Sequence, residues 1–276
     1  MSASVAIVIP SLNQGSFLQD AIDSLLAQTG VDLQVALVDG GSTDRTREII
    51  SLYKDKFGYF RSFPDNGQAA AINEGLSRLK SAAYVGWLNA DDVILPGGLG
   101  AMASFLDHHP EYIAVFGKAH TIDEKGRIIG EYPTKAFNKR AFAVYCTICQ
   151  PASLIRRSAW DEVGGLDESI QTCMDYDLWW RLSKIGGMGY IHHYVAHARD
   201  HSQTKTRLLR KKVNEEAISI LIRHWGMVPR NWCMANILEG LDETDSGRKY
   251  SRIFRAIQKY AQINGWSALL PQNWLF

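Results

Sequence analysis

Cysteine is scarce: Cys146, Cys149, Cys173 and Cys233 are the only four in 276 residues. That is too few for a disulfide scaffold at this length, and a reducing cytoplasm is the simplest compartment. Cys146-x-x-Cys149 lacks the second pair that would complete a structural zinc site. Long apolar runs are also missing, and none approaches the roughly 18 to 20 residues that cross a bilayer. Met1 to Ile9 has no basic start and no cleavage pattern, so no signal peptide is expected. Gly97-Gly98-Leu99-Gly100 lacks the GxGxxG spacing of a dinucleotide fingerprint. Neither sign of charge dominates: 30 Lys and Arg against 29 Asp and Glu leave +1. The balance is uneven, because residues 201–276 hold 12 of the basic residues and 6 of the acidic ones. That basic end suits phosphates or an anionic membrane surface, and it equally suits solvated helix faces. A nucleic-acid partner is not expected.

What remains is a chain that can bury a core, with 46% hydrophobic and 21% charged residues. Its length suits one large domain, or one domain with a helical extension. In the first half, short apolar runs alternate with helical patterns. Strands are expected over Val5–Pro10, Gln34–Val38, Tyr59–Phe63 and Ala83–Leu88. Between them lie a helical face of Phe17, Ile22, Leu25 and Leu26, a helix over Asp44–Tyr53 with Ser42 or Asp44 as N-cap, and a helix over Gln68–Leu79. This alternation implies an α/β fold with a parallel sheet and helices on both faces. Strands are then expected over Tyr112–Ala119, Arg127–Tyr132, Ala152–Ile155 and Tyr190–Ala198. Helices are expected over Asp175–Ile185, Leu208–Trp225 and Tyr250–Ala261. The mixed pattern gives way to helices near residue 201, dividing the chain into a catalytic domain over 1–200 and a C-terminal loop and helical extension over 201–276.

Open parallel sheets bind ligands at the carboxyl ends of their strands. Here those ends read Pro10-Ser11-Leu12-Asn13, Asp39-Gly40-Gly41-Ser42-Thr43-Asp44, Pro64-Asp65-Asn66-Gly67-Gln68 and Asn89-Ala90-Asp91-Asp92. Four strand ends bearing carboxylates or amides make a rim suited to a base, ribose hydroxyls and a divalent cation. The two stretches from Val5 to Asn13 and from Val38 to Asp44 resemble the start of the family 2 inverting glycosyltransferases of the GT-A fold. The resemblance continues through Trp87-Leu88-Asn89-Ala90-Asp91-Asp92, Gln150-Pro151-Ala152, Gly164-Gly165-Leu166-Asp167-Glu168 and Met174-Asp175-Tyr176-Asp177-Leu178-Trp179. It covers roughly the first 200 residues, with several spaced motifs in the right order.

The resemblance implies a Rossmann-like mixed sheet flanked by helices and a nucleotide-diphosphate sugar donor. Pro10, Asp39, Asp65, Asn66 and Asp91 become the expected nucleotide-binding residues. Asp39 would accept the imide N–H of uracil or thymine, which points to a UDP- or dTDP-sugar. Asp65 and Asn66 fit ribose or base binding, and a turn before Gly67 explains them equally well. Asp92 and His201 are the expected ligands of Mn²⁺ or Mg²⁺, with Asp91 reaching ribose or water. The family motif is often Asp-x-Asp, whereas this chain has Asn89 at the first position. Asp175 is the expected general base, preferred over Asp177, with helix capping as the competing role of both. Met174 stands where the family often has Glu. Trp87, Trp179 and Trp180 are candidates for a sugar pocket, with core packing the default for the first and second. The acceptor would be a saccharide or a lipid-linked hydroxyl, in a setting of bacterial surface polysaccharide or glycoconjugate assembly.

Two rivals are weaker. A nucleotidyltransferase normally has a Gly-rich, Arg-containing loop after the first strand, unlike Pro10-Ser11-Leu12-Asn13-Gln14-Gly15. A non-catalytic binding module has no need of Asp91, Asp92 and Asp175 together. At the C-terminus, Arg248, Lys249, Arg252, Arg255 and Lys259 accompany Tyr250, Ile253, Phe254 and Ile257 at helical spacing, with Trp266 and Trp274 beyond. Such a segment suits peripheral contact with the cytoplasmic membrane face, and it also suits packing back onto the catalytic domain.

Overall fold

The computed structural model describes residues 2–242. The basic and aromatic segment after Asp245, with its expected helix over Tyr250–Ala261, lies outside the described residues. The chain divides into two compact units, the first ending at Thr204 and the second beginning at Lys205.

The first unit is built around β1 (Ala3–Ser11), whose residues Val5 to Ile9 are all buried. An unbroken apolar run is what a strand covered on both faces requires. After α1 (Leu18–Leu26), β2 (Val31–Asp39) runs parallel to β1 and sets Ser11 opposite Asp39. Next come α2 (Thr46–Tyr53), β3 (Tyr59–Ser62), α3 (Gln68–Arg78) and β4 (Tyr84–Trp87). β3 is parallel to β2, and β4 is parallel to β1. α1 buries Leu18, Ala21, Ile22 and Leu25, the three-to-four spacing of a helix lying on a sheet. These side chains pack with Val5, Ile7 and Ile9 of β1. α3 covers the opposite face. A Cβ on its Gly75 would lie 2.7 Å from both γ-carbons of Val8, so only glycine permits this approach.

The second half of the unit comprises β5 (Val93–Ile94), α4 (Gly98–His108), β6 (Tyr112–Ile122), β7 (Ile128–Glu131) and α5 (Lys139–Val144). β8 (Ser153–Arg156), α6 (Arg157–Val163), α7 (Met174–Ile185) and β9 (Gly187–Arg199) complete it. The strand order is β3-β2-β1-β4-β8-β6-β9-β5, with β7 hydrogen-bonded to β6. β8 is antiparallel to both β4 and β6, and β5 is antiparallel to β9, so the sheet is mixed rather than wholly parallel. The α/β fold and its parallel first half agree with the sequence reading. β5, α5 and α6 lie in stretches to which that reading assigned no element.

The second unit contains α8 (Lys205–Leu208), α9 (Arg210–His224) and α10 (Arg230–Asp242), with α10 packed on α9. The long helix expected from Leu208 is interrupted at Leu209, whose φ of −115° and ψ of 35° leave the helical region. No helix among the described residues is long and apolar enough to cross a membrane.

Candidate active site

The loops after β1, β2 and β3 meet at the carboxyl edge of the sheet. The first two are laced together. Asn13 adopts a left-handed backbone (φ 54°), its N–H donates to Ser42 Oγ at 2.7 Å, and its Oδ1 accepts from the Thr43 N–H at 2.9 Å. Gly15 donates to Asp44 Oδ2 at 3.0 Å, and a Cβ there would collide with Arg45 at 2.3 Å. Asp44 Oδ1 also accepts from the Thr46 N–H at 3.0 Å, which gives it the capping role. Those hydrogen bonds hold its carboxyl below the usual range although burial opposes them. Ser42, the other capping candidate, is used elsewhere: its hydroxyl donates to Asp39.

Asp39 is fully buried. Its Oδ2 accepts from the N–H groups of Gly41 and Ser42 and from Ser62 Oγ, at 3.2, 3.0 and 2.6 Å. Its Oδ1 accepts from Ser42 Oγ alone, which leaves one lone pair. Pro10 lies in β1 opposite Val38. Asp65 Oδ1 accepts from the Gly67 N–H at 2.9 Å, the turn role, while Oδ2 pairs with Arg61 Nη2 at 3.4 Å. Asn66 is exposed beside it. The buried Arg61 guanidinium also contacts Glu74, at 2.8 Å, and holds the Phe63 carbonyl at 2.7 Å. Arg61 thereby fixes the start of the third loop, a role that the sequence reading did not assign.

The fourth loop carries the acid pair. The Asp92 side chain is buried, with Oδ1 accepting from the Arg199 N–H at 2.9 Å and Oδ2 accepting from Asn89 Nδ2 at 3.1 Å. Burial, and then the neighbouring Asp91, push its carboxyl well above the ordinary range. Asp91 Oδ2 lies 3.0 Å from His201 Nε2, and the His201 ring packs on Phe17 with centroids 4.7 Å apart. Beside the acids lies a permanent cation, Arg199, with only 2% of its side chain exposed. Its guanidinium goes to the carbonyls of Asp91, Asp123 and Glu124 and to Asp20. Asp92 therefore receives an N–H from Arg199 but no guanidinium contact.

Asp91, Asp92 and His201 are thus brought together, with His201 on Asp91 rather than on Asp92. Among the described residues, no group of three or more His, Cys, Asp and Glu could hold a metal ion by itself. A hard divalent ion that takes its other ligands from a diphosphate and water needs no such group. Buried Asp92, whose ionisation is opposed by burial and by the neighbouring Asp91, fits that ion.

Asp175 lies in the first turn of α7, half-buried, and its Oδ1 accepts the Tyr176 N–H at 2.8 Å. Asp177 is different. It is 1% exposed, and its Oδ2 lies 2.6 Å from Arg181 Nε. Arg181 Nη1 in turn holds the carbonyls of Val163 and Gly165 at 2.8 and 2.7 Å. The acid at 177 therefore braces the Gly164-Gly165 corner. Cys146 lies within electrostatic reach of Asp175: burial first, and then Asp175, raise its thiol well above the usual range. Tyr132 is within electrostatic reach of both Asp175 and Asp92. Its phenol is raised by burial and then by Cys146, Cys149, Asp175 and Asp92. The sequence carried no signal for Tyr132 or Cys146 as site neighbours.

The tryptophans are not sugar platforms. Trp87, Trp179 and Trp180 are 3%, 1% and 1% exposed. Trp87 stacks on Trp179 at 6.3 Å, and Trp180 packs against Phe142 and Tyr176. Trp180 is a correction, because its place in α7 turns it inward.

The profile described as Glycosyl transferase family 2 matches residues 6–164. An uncharacterized glycosyltransferase of Rickettsia typhi is 28% identical over 229 residues, which is 78% of this chain and 70% of that protein. The hyaluronan synthase of Pasteurella multocida is 26% identical over 94% of this chain, a match that spans only 26% of the synthase. Among solved structures, residues 1–349 of S. aureus TarS in complex with UDP-GlcNAc give a TM-score of 0.64 at 15% identity, covering 84% of this chain and 70% of that one. A mannosyltransferase of Pyrobaculum calidifontis in complex with GDP-Man and Mn²⁺ gives 0.61 at 14% identity, covering 95% and 75%. At such identities the two structures establish the GT-A fold alone.

Proposed function

The chain belongs to glycosyl transferase family 2, and on that premise we propose that it moves a sugar from a UDP- or dTDP-sugar to a hydroxyl acceptor with inversion. The observation that carries this reading is the pairing of two acidic groups. Buried Asp92 and half-buried Asp91, with His201 on Asp91, form one group, and half-buried Asp175 in the first turn of α7 is the other. One group suits the donor diphosphate, the other the acceptor.

Asp92 and His201 would hold Mn²⁺ or Mg²⁺, with Asp91 reaching ribose or water. Such a cation supplies neutralisation of the charge that builds on the departing diphosphate. Asp175 accepts the proton of the acceptor hydroxyl as its oxygen attacks the anomeric carbon. The bond from that carbon to the diphosphate oxygen breaks, and its electron pair leaves with the nucleoside diphosphate. One displacement inverts the anomeric centre without a covalent sugar–enzyme intermediate. The spare lone pair of Asp39 Oδ1 suits the imide N–H of uracil or thymine and would repel the N3 lone pair of cytosine. Pro10, Asp65 and Asn66 border the same base and ribose region at the ends of β1 and β3.

The acceptor class we infer is a saccharide or a lipid-linked hydroxyl in bacterial surface polysaccharide or glycoconjugate assembly. A cytoplasmic enzyme touching the membrane face through its basic C-terminal segment fits that acceptor. The test is a panel of UDP- and dTDP-sugars, read as metal-dependent release of free nucleoside diphosphate. Hydrolysis of one donor with Mn²⁺ or Mg²⁺, abolished by chelator, is the expected result. No donor turned over under any metal condition would overturn the reading.

A further inference from the structure

Asn89 occupies the position where an acid would complete the Asp-x-Asp pattern, and its side chain faces three partners. Its Oδ1 accepts from Gln68 Nε2 at 2.8 Å. Its Nδ2 donates to Asp92 Oδ2 at 3.1 Å and to Gln150 Oε1 at 3.2 Å. Gln150 is itself buried, and its Nε2 donates to the Trp87 carbonyl at 2.8 Å. We propose that Asn89 is a positioning residue for the cation-binding carboxylate, and that the main chain of β4 sets its orientation through Gln150. This inference rests on the proposed metal role of Asp92.

The argument is one of polarity. A backbone carbonyl only accepts, so it dictates which end of the Gln150 amide faces it. The Gln150 amide nitrogen therefore points to Trp87, and its oxygen points to Asn89. The Asn89 amide nitrogen must then face Gln150, and the same NH₂ group has a second proton for Asp92. Its oxygen is left for Gln68, the first residue of α3. A flip of either amide would set oxygen against oxygen in a buried place. Asp92 is thus gripped from two sides, by Asn89 and by the Arg199 N–H, with its remaining lone pairs aimed by that grip. An acid at position 89 could not serve this network unless protonated. This gives a physical reason for asparagine at a position where an acid is common. The relay also links the third loop, through Gln68, with the Gln150-Pro151-Ala152 segment that precedes β8.

The experiment measures Mn²⁺ binding to the full chain in the presence of UDP, by electron paramagnetic resonance of the free ion. Asn89→Ala should raise the Mn²⁺ dissociation constant about tenfold or more, the scale of a lost hydrogen bond to a charged group. Gln150→Met, which touches neither the ion nor Asp92, should raise it severalfold. The double variant should be little worse than Asn89→Ala, because both act through one contact. Metal-free UDP binding and the melting temperature should stay close to wild type, which separates positioning from loss of fold. Asn89→Ser replaces the alanine variant if that one does not fold. Unchanged Mn²⁺ affinity in Asn89→Ala or Asn89→Ser, or fully additive effects of the two sites, would overturn the proposal. Failure of the wild type to take up Mn²⁺ would instead overturn the metal reading, and the proposal with it.

Discussion

Exchange of the two acids at the start of α7 should produce opposite failures. Asp177 is buried at 1% exposure and faces Arg181 across 2.6 Å, and Arg181 holds the corner at Val163 and Gly165. Removing one partner of a buried ion pair costs about 3 to 5 kcal/mol, because the other charge is stranded. The Arg181 side chain is 22% exposed, so water recovers part of that loss and the lower end, about 3 kcal/mol, applies. For a unit of this size each kcal/mol moves the melting temperature by roughly 2 to 4 °C. Asp177→Ala should therefore melt about 6 to 12 °C lower and keep much of its turnover at low temperature. Asp175→Asn keeps its shape and should melt near wild type, with transfer slowed by ~10² to 10⁴ from loss of the general base. Calorimetry and a radiolabelled transfer assay on both variants decide the matter. If Asp175→Asn turns over normally, or if Asp177→Ala is inactive at full stability, the two roles have been assigned the wrong way round.

Asp92→Ala should lose metal-dependent binding of the donor, and chelator should silence the wild type until Mn²⁺ or Mg²⁺ is restored; full activity in chelator refutes the cation site. Asp39→Ala should weaken UDP or dTDP whatever sugar is attached, by about 1.5 to 3 kcal/mol. Unchanged affinity in calorimetric titration would leave Asp39 only as the residue that holds Gly41 and Ser42 in their turn. Anionic liposomes should sediment the full chain and not a chain ending at Asp245, given roughly 1 kcal/mol per basic residue near the surface. Equal sedimentation of the two would remove the membrane from the account.

Much of the fold was legible because its strands are buried on both faces and written as plain apolar runs. Val5 to Ile9 read as a buried strand, and the observed β1 extends that run by two residues at each end. α3 could be read from Ala69, Ile72 and Leu76 at helical spacing, all of which are buried. β5 was missed because two residues give no period, and α6 because seven residues between a strand and a glycine corner give little more. Trp180 was misjudged because side-by-side tryptophans on a helix ordinarily diverge, whereas here the helix is enclosed widely enough to bury both. Strand-end position brought Asp91, Asp92 and Asp39 forward as candidates. It could not show that Asp39 is enclosed by Ser42 and Ser62, or that Asn89 and Gln150 share an amide chain. Those contacts join residues as many as 61 positions apart, and no local pattern encodes them.

The environment of Arg199 bears on how this chain can change over time. One planar cation reaches Asp20 on α1, the carbonyl of Asp91 in the acid loop, and the carbonyls of Asp123 and Glu124 in the β6–β7 turn. Surface turns ordinarily accept insertions and deletions freely. This one is tied from within, so a change in its length would be felt at the acids rather than absorbed locally. Lysine, with one nitrogen on a flexible stem, cannot reproduce contacts made in three directions at once. The hairpin, though peripheral, is therefore bound to the same substitution limits as the centre it borders.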